Sequence, residues 1–241
     1  MKKKHVELHC HTHYSHDSLL NKWFYLFMFK LRNIHVVAIT DHNELEGAKK
    51  FKPFLEKRGI KVILGEEVFT SKGEIIGLFI HNKIQPNLSP KETMLEIKKQ
   101  GGLVYIPHPY DKKRYKTVLN EEEIATNIDL IDFIEVHNGR NIKTEFSDKQ
   151  LAIGNKYGKT SLIGSDAHTF IELGRNFNIM DEFHDPNSFI KSAKKAGFQK
   201  RECLDISHTL TKIVRLIKLL KRGRFHEIYR VILKRYKREK H

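Results

Sequence analysis

Val36-Val37-Ala38-Ile39-Thr40-Asp41-His42 is an unbroken apolar run, rich in β-branched residues, that passes directly into groups able to bind a metal. A short continuous run of this kind reads as a strand buried on both faces. The same form recurs outward in both directions. Strand-like runs stand at Val6–His9, Lys61–Leu64, Ile75–Ile80, Leu103–Ile106, Ile131–Val136 and Ser161–Ile163. Between them, Leu19–Leu31, Glu46–Lys57, Pro90–Lys99 and Asp148–Tyr157 carry apolar residues at helical intervals, with Gly59, Gly101 and Gly158 placed as stops. Alternating strands and helices imply an α/β fold built on a parallel sheet or barrel.

The residues at the strand ends matter more than the strands themselves. Of the fifteen histidines, six come directly after apolar strand-like runs. His9 and His11 lie at i and i+2, so on an extended strand both face one side and Cys10 the other. His42 ends the run quoted above. Glu66 and Glu67 end the next, and because neighbouring strand residues face opposite sides, parity alone leaves open which points inward. His108 is set between Pro107 and Pro109, His137 closes Phe133–Val136, and Asp166 and His168 repeat the i, i+2 spacing after Gly164.

Any one of these residues could be an ordinary polar strand end; together they concentrate ligands where barrels and wound sheets carry their chemistry, at strand carboxyl ends. Imidazoles mixed with carboxylates, without a thiolate pair, suit Zn²⁺, Mn²⁺ or Fe²⁺. Asp41 could orient a ligating imidazole or cap the helix that begins near Glu44.

The chain of 241 residues, 39% hydrophobic, can bury a sizeable core. Met1–Lys4 begins like a signal peptide but leads into no apolar segment, and Cys10 and Cys203 form no disulfide framework; both point to the cytoplasm. The most lipid-like run, Trp23–Phe29, is far too short to span a bilayer and reads as a buried or partner-covered helix, so no transmembrane segment is expected.

The net charge is +15, and Ser207–His241 holds twelve Lys or Arg against two Glu. There Leu210, Ile213, Leu216, Ile217 and Leu220 share a helical face, and a second set runs from Phe225 through Ile228, Val231, Ile232 and Tyr236. The expected division is therefore a barrel over 1–200 and a basic amphipathic helical tail over 201–241, broken near Gly223. Residues 207–241 could hold nucleic acid or touch an anionic membrane.

Taken in order, Leu8-His9-Cys10-His11, Ser15-His16-Asp17, Thr40-Asp41-His42, Gly65-Glu66-Glu67, Pro107-His108-Pro109, Glu135-Val136-His137-Asn138 and Gly164-Ser165-Asp166-Ala167-His168 resemble the motifs of the PHP (polymerase and histidinol phosphatase) superfamily. Glu7 stands where that family usually has Asp, and Ser18 where Gly is common. The resemblance implies a distorted (β/α)7 TIM-like barrel with two or three divalent ions (Zn, Mn or Fe) at the strand ends. It assigns His9, His11, Glu67 and Asp166 to one ion, Glu67, His108 and His137 to a second, and Asp17, with His16 or His13 as substitutes, together with His42 and His168 to a third.

The implied activity is hydrolysis of a phosphate ester, chiefly a phosphomonoester on a small molecule, by a metal-activated hydroxide. Arg140 is placed to bind the phosphate, and His168 or His13 to protonate the leaving group unless a metal stabilises it. Two alternatives remain at this level: a nuclease or nucleotide phosphatase acting on nucleic-acid ends held by the tail, and a non-catalytic metal-binding module docked on a membrane or nucleic acid.

Overall fold

The computed structural model describes residues 3–111, 114 and 117–226. Its chain order is β1 (Lys4–Cys10), α1 (Lys22–Leu31), β2 (Val36–Ile39), α2 (Glu46–Glu56), β3 (Lys61–Thr70), β4 (Gly73–Leu78), α3 (Pro90–Lys99), β5 (Leu103–Ile106), α4 (Glu121–Thr126), β6 (Phe133–Asn138), α5 (Thr144–Lys156), β7 (Thr160–Gly164), β8 (Phe177–Met180), α6 (Pro186–Ala193), β9 (Gly197–Gln199) and α7 (Asp205–Lys221). One sheet runs in the order β7-β6-β5-β4-β3-β2-β1-β8-β9.

The expected α/β barrel is present, and its distortion has two sources. β3 and β4 form an antiparallel hairpin with no helix between them, and β8 returns antiparallel beside β1. The remaining strands β1, β2, β3, β5, β6 and β7 point one way, so their carboxyl ends share one rim.

The sheet curls until β7 nears β1. An isolated parallel bridge between Cys10 and Ala167 joins them, with His11 N–H donating to Ala167 O at 2.9 Å. Deeper in the seam the Asn178 side chain substitutes for missing ladder bonds, donating to Ile163 O at 2.8 Å and accepting from Ile163 N–H at 3.0 Å. Inside the barrel, Val6, Leu8, Ala38, Ile63, Ile76, Tyr105, Phe133 and Leu162 pack together. Phe189 of α6 closes the amino end by meeting Phe133 and Phe183 edge to face.

Two β-bulges break the two-residue period. On β1, Leu8 and His9 together oppose Ala38 of β2, so both face inward: Leu8 joins the inner core, and His9 and then His11 rise above it. On β6 the extra residue Val136 lies between Glu135 and His137. Glu135 therefore faces the interior, while His137 is rotated to the outside.

α1 is buried on one side only, through Tyr25, Met28 and Phe29. α7 lies against the barrel, but not by its most apolar stripe: Ser207, Lys218 and Leu219 are buried, whereas Ile213 and Leu220 of the expected face are exposed. Hydrogen bonds explain the choice. Thr211 accepts from Arg140 at 2.9 Å, and the Lys218 ammonium donates to His13 O at 2.7 Å and to Ser15 O. The second helical set of the tail, beyond His226, lies outside the described residues. No described helix is long and apolar enough to cross a membrane.

Gly73 closes the hairpin with φ +140°, and a Cβ there would sit 2.6 Å from Leu119 N. Gly73→Ala is expected to lower stability by about 1–3 kcal/mol, read as a shift in urea midpoint at constant slope.

Burial, reinforced by Arg222 and opposed by Asp17 and Asp41, pushes the Lys218 ammonium down from 10.5 to about 8. Between those values the unfolded chain binds more protons than the folded one, so this group makes stability rise with pH from about 8 to 10.5 and adds no slope below 8. Lys218→Met should remove that rise, seen as the difference between parent and variant urea midpoints across the range.

Candidate metal centre

Glu67 is the hub of the barrel's carboxyl rim. It points inward from β3, and its carboxylate lies 3.3 Å from His9 Nε2, 3.4 Å from His11 Nε2, 2.9 Å from His42 Nδ1 and 3.2 Å from His108 Nε2. Glu66 faces outward and accepts from Ile84 N–H at 3.0 Å, which resolves the parity question in favour of Glu67. Asp166 adds its Oδ1 at 3.6 Å from His9 Nε2 and 3.4 Å from His11 Nε2. Asp17 lies 3.2 Å from His168 Nε2 and 3.6 Å from His42 Nε2.

Local chain geometry makes this convergence possible. His108 and Asp166 have φ of +30° and +53°, which L-residues adopt at a cost of order 1–3 kcal/mol. Gly164 leaves room that no side chain could share: a Cβ there would stand 2.5 Å from both Glu135 Oε1 and His9 Cβ. Asp41 does not cap α2, whose N-cap is Leu45; it accepts from the Thr12 hydroxyl at 2.6 Å and from Thr12 N–H, fixing the loop after His11. Glu7 is buried and accepts from the Ser165 backbone N–H at 2.9 Å and from its hydroxyl, steadying the loop that carries Asp166.

Behind the ligands stands a hydrogen-bonded layer. His9 Nδ1 meets Glu135 Oε1 at 3.0 Å, an arrangement that turns the Nε2 lone pair toward Glu67 and Asp166. Glu135 is itself held by the Tyr105 hydroxyl, His108 N–H and the Asn138 amide.

Burial opposes every charge in this centre, and the neighbouring imidazoles and carboxylates work against it. It would raise Glu67, but His42 and His9 hold that carboxyl well below its usual range. Burial likewise opposes the low values of Asp166, imposed by Arg114 and His9, and of Asp17, imposed by His168 and His42. In turn, against burial, Glu67 and Asp166 lift His9, and Glu67 and Asp17 lift His42. Burial together with His168 and His42 drives His11 well down.

The buried carboxylates and imidazoles thus favour one another's charged forms, a role that divalent ions would take over. The donor set fits such ions. His9 Nε2, His11 Nε2, His42 Nδ1 and Glu67 Oε2 are buried without a hydrogen-bond partner. Four overlapping groups have ligand atoms within 4.8 Å of one another: His9, His11 and Glu67; His11, His42 and His168; His16, Asp17 and His42; and His42, Glu67 and Glu74.

The sequence pattern of the PHP domain matches residues 7–195, a span that contains every residue of this centre. The chain belongs to the PHP domain family. Two relatives come from Methanocaldococcus jannaschii: the uncharacterized protein MJ1587, 43% identical over 115 residues (44% of this chain, 67% of that one), and the uncharacterized protein MJ0417, 34% identical over 177 residues (71% and 68%). Among solved structures, a Bacteroides vulgatus two-domain protein containing a predicted PHP-like metal-dependent phosphoesterase superposes with a TM-score of 0.66 at 16% identity, covering 82% of this chain and 64% of that one.

Within this PHP domain the structure brings together His9, His11, Asp17, His42, Glu67, His108, Asp166 and His168. It does not bring His137 to them. The β6 bulge directs that ring outward, where Nδ1 meets Ser147 Oγ at 2.8 Å and Nε2 faces Asn176 Oδ1 at 3.2 Å. Arg140 is turned away too: its guanidinium is buried under α7, on Thr211 and near Glu172. Among the described residues, the cation at the centre is Arg114, whose Nη1 lies 2.6 Å from Asp166 Oδ2.

Glu74 is the carboxylate that sequence reasoning missed. It faces inward from β4, 3.4 Å from His108 Nε2 and 3.5 Å from His42 Nδ1, and burial with the adjacent Glu67 pushes it up to about 7. The signal was present in the alternation Glu74, Ile76, Leu78, which puts one carboxylate on an otherwise apolar inner face.

His137→Ala should leave metal content and affinity unchanged, whereas Glu135→Gln should weaken affinity by roughly 10- to 100-fold through loss of His9 orientation. Equilibrium dialysis against Mn²⁺ or Zn²⁺ tests both.

Proposed function

We propose that this PHP-domain protein is a metal-dependent hydrolase of phosphate esters, most suited to phosphomonoesters of small molecules. The carrying observation is the convergence of unpartnered imidazole nitrogens and carboxylate oxygens on Glu67. His9, His11, Glu67 and Asp166 would hold one divalent ion, Glu67, His108 and Glu74 a second, and Asp17, His42 and His168 a third, with Mn, Zn and Fe the metals the donors suit. When bound, such ions lower the pKa of water toward neutrality and neutralise phosphoryl oxygens.

The chain's own groups perform the rest. Glu135 fixes His9 through Nδ1, and Asp41 and Glu7 hold the loops that carry Asp17 and Asp166. Arg114, anchored on Asp166 and 3.3 Å from Asp111 through Nε, presents a guanidinium where a phosphate dianion would add negative charge. With Nε2 on the third ion beside Asp17 and Nδ1 meeting Asp166 O at 2.8 Å, His168 would act as a ligand and has no proton to pass to a leaving alkoxide. The nucleic-acid reading has less support, since Lys218 of α7 is committed to the His13 and Ser15 carbonyls.

Purified protein is expected to carry stoichiometric Mn, Zn or Fe and to hydrolyse phosphomonoesters faster than diesters across a substrate panel. His9→Ala and Asp166→Ala should each reduce kcat by at least about a hundredfold, more than loss of an outer partner costs. A folded protein that takes up no metal, or parental turnover in both variants, refutes the proposal.

A further inference from the structure

The uncovered side of α1 is a single apolar stripe. Trp23, Phe27 and Leu31, four residues apart and so aligned, are 58%, 67% and 68% exposed. Phe24 extends the stripe by stacking on Phe170 with centroids 5.8 Å apart, both half-exposed. Single exposed apolar residues are ordinary, but a contiguous aromatic stripe marks a surface that meets something.

Cations frame it. The Arg58 guanidinium lies 3.8 Å from the Phe54 ring and 5.6 Å from Trp23, Lys22 Nζ lies 4.8 Å over Phe54, and Lys30 projects from the stripe itself. α1 contains no carboxylate, and none of these three cations has an ion pair among the described residues.

We propose that this face docks on an anionic lipid surface, with Trp23, Phe27 and Leu31 entering the boundary between headgroups and acyl chains and Lys22, Lys30 and Arg58 meeting lipid phosphates. Charge selects the occupant. A second copy of this chain would set one cationic frame against another, on molecules of formal charge +15, whereas a bilayer of anionic lipid supplies both an apolar layer and complementary charge. Leu19 is two residues past Asp17, and Phe170 two past His168, so the docked face adjoins the rim of the metal centre.

Trp23 is the sole tryptophan of the chain, so its emission reports on this patch alone. Full-length protein mixed with phosphatidylglycerol–phosphatidylcholine vesicles is expected to float with them and to show blue-shifted emission, with neither effect on phosphatidylcholine alone. Phe27→Ser with Leu31→Ser should lower the partition coefficient about tenfold or more while metal content and far-UV circular dichroism stay parental. Lys22→Glu with Lys30→Glu, which keeps the apolar stripe, should also weaken binding to the anionic vesicles.

Absence of flotation overturns the assignment. So does flotation without a Trp23 shift, or with undiminished affinity in both double variants, which would transfer the contact to the basic tail. A Trp23 shift that grows with protein concentration in lipid-free buffer, together with a dimer's sedimentation mass, overturns it in favour of a second copy.

Discussion

A buried carboxylate at the centre of four imidazoles is the constraint around which this barrel is arranged. Removing Glu67 from water is costly unless polar or charged partners are held close on several sides, and His9, His11, His42 and His108 surround it from the ends of β1, β2 and β5. Each imidazole must then be aimed. That requirement explains the Glu135 carboxylate behind His9, the Asp41 contact to Thr12 and the Glu7 contact to Ser165, all buried and all at some distance from the rim. The inner core beneath, floored by Phe189, keeps water from relaxing the arrangement from below.

Backbone strain and a missing side chain are both found at this centre. His108 and Asp166 adopt positive φ, and Gly164 lacks the Cβ that would collide with His9 and Glu135. These local costs are offset by the hydrogen-bond network and, once ions are bound, by coordination of atoms that otherwise have no partner. The seam between β1 and β7, closed by Cys10 and Ala167, sets the His9–His11 pair beside the Asp166–His168 pair. Closure of the barrel and assembly of the centre are thus one event.

α7 extends this logic beyond the family's core. Its contact with the barrel combines Leu219 with polar anchors: Thr211 for Arg140, and Lys218 for the carbonyls of His13 and Ser15. It therefore ties the loop that leads to Asp17 to the loop after β6. Ile213 and Leu220 of the helix are left outside.

Much of this was legible in the residues alone. Apolar runs ending in His, Asp or Glu announced both the alternating α/β architecture and the strand ends where ligands gather, and the ordered motifs carried the family. Residues whose side chains come directly off a strand's exit, such as His42 and His108, could be placed that way. His137 could not, because one extra residue in β6 reverses every side chain beyond it, and a bulge has no composition of its own. Glu74 escaped for the complementary reason: it stands at the start of a strand rather than its end, and only the antiparallel pairing of β4 with β3 carries it to Glu67. Arg140 could not be placed either, because the docking of α7 over it is a long-range contact. The sequence by itself determined which kinds of atoms could hold an ion; strand phase and packing across the barrel decided which of them stand together.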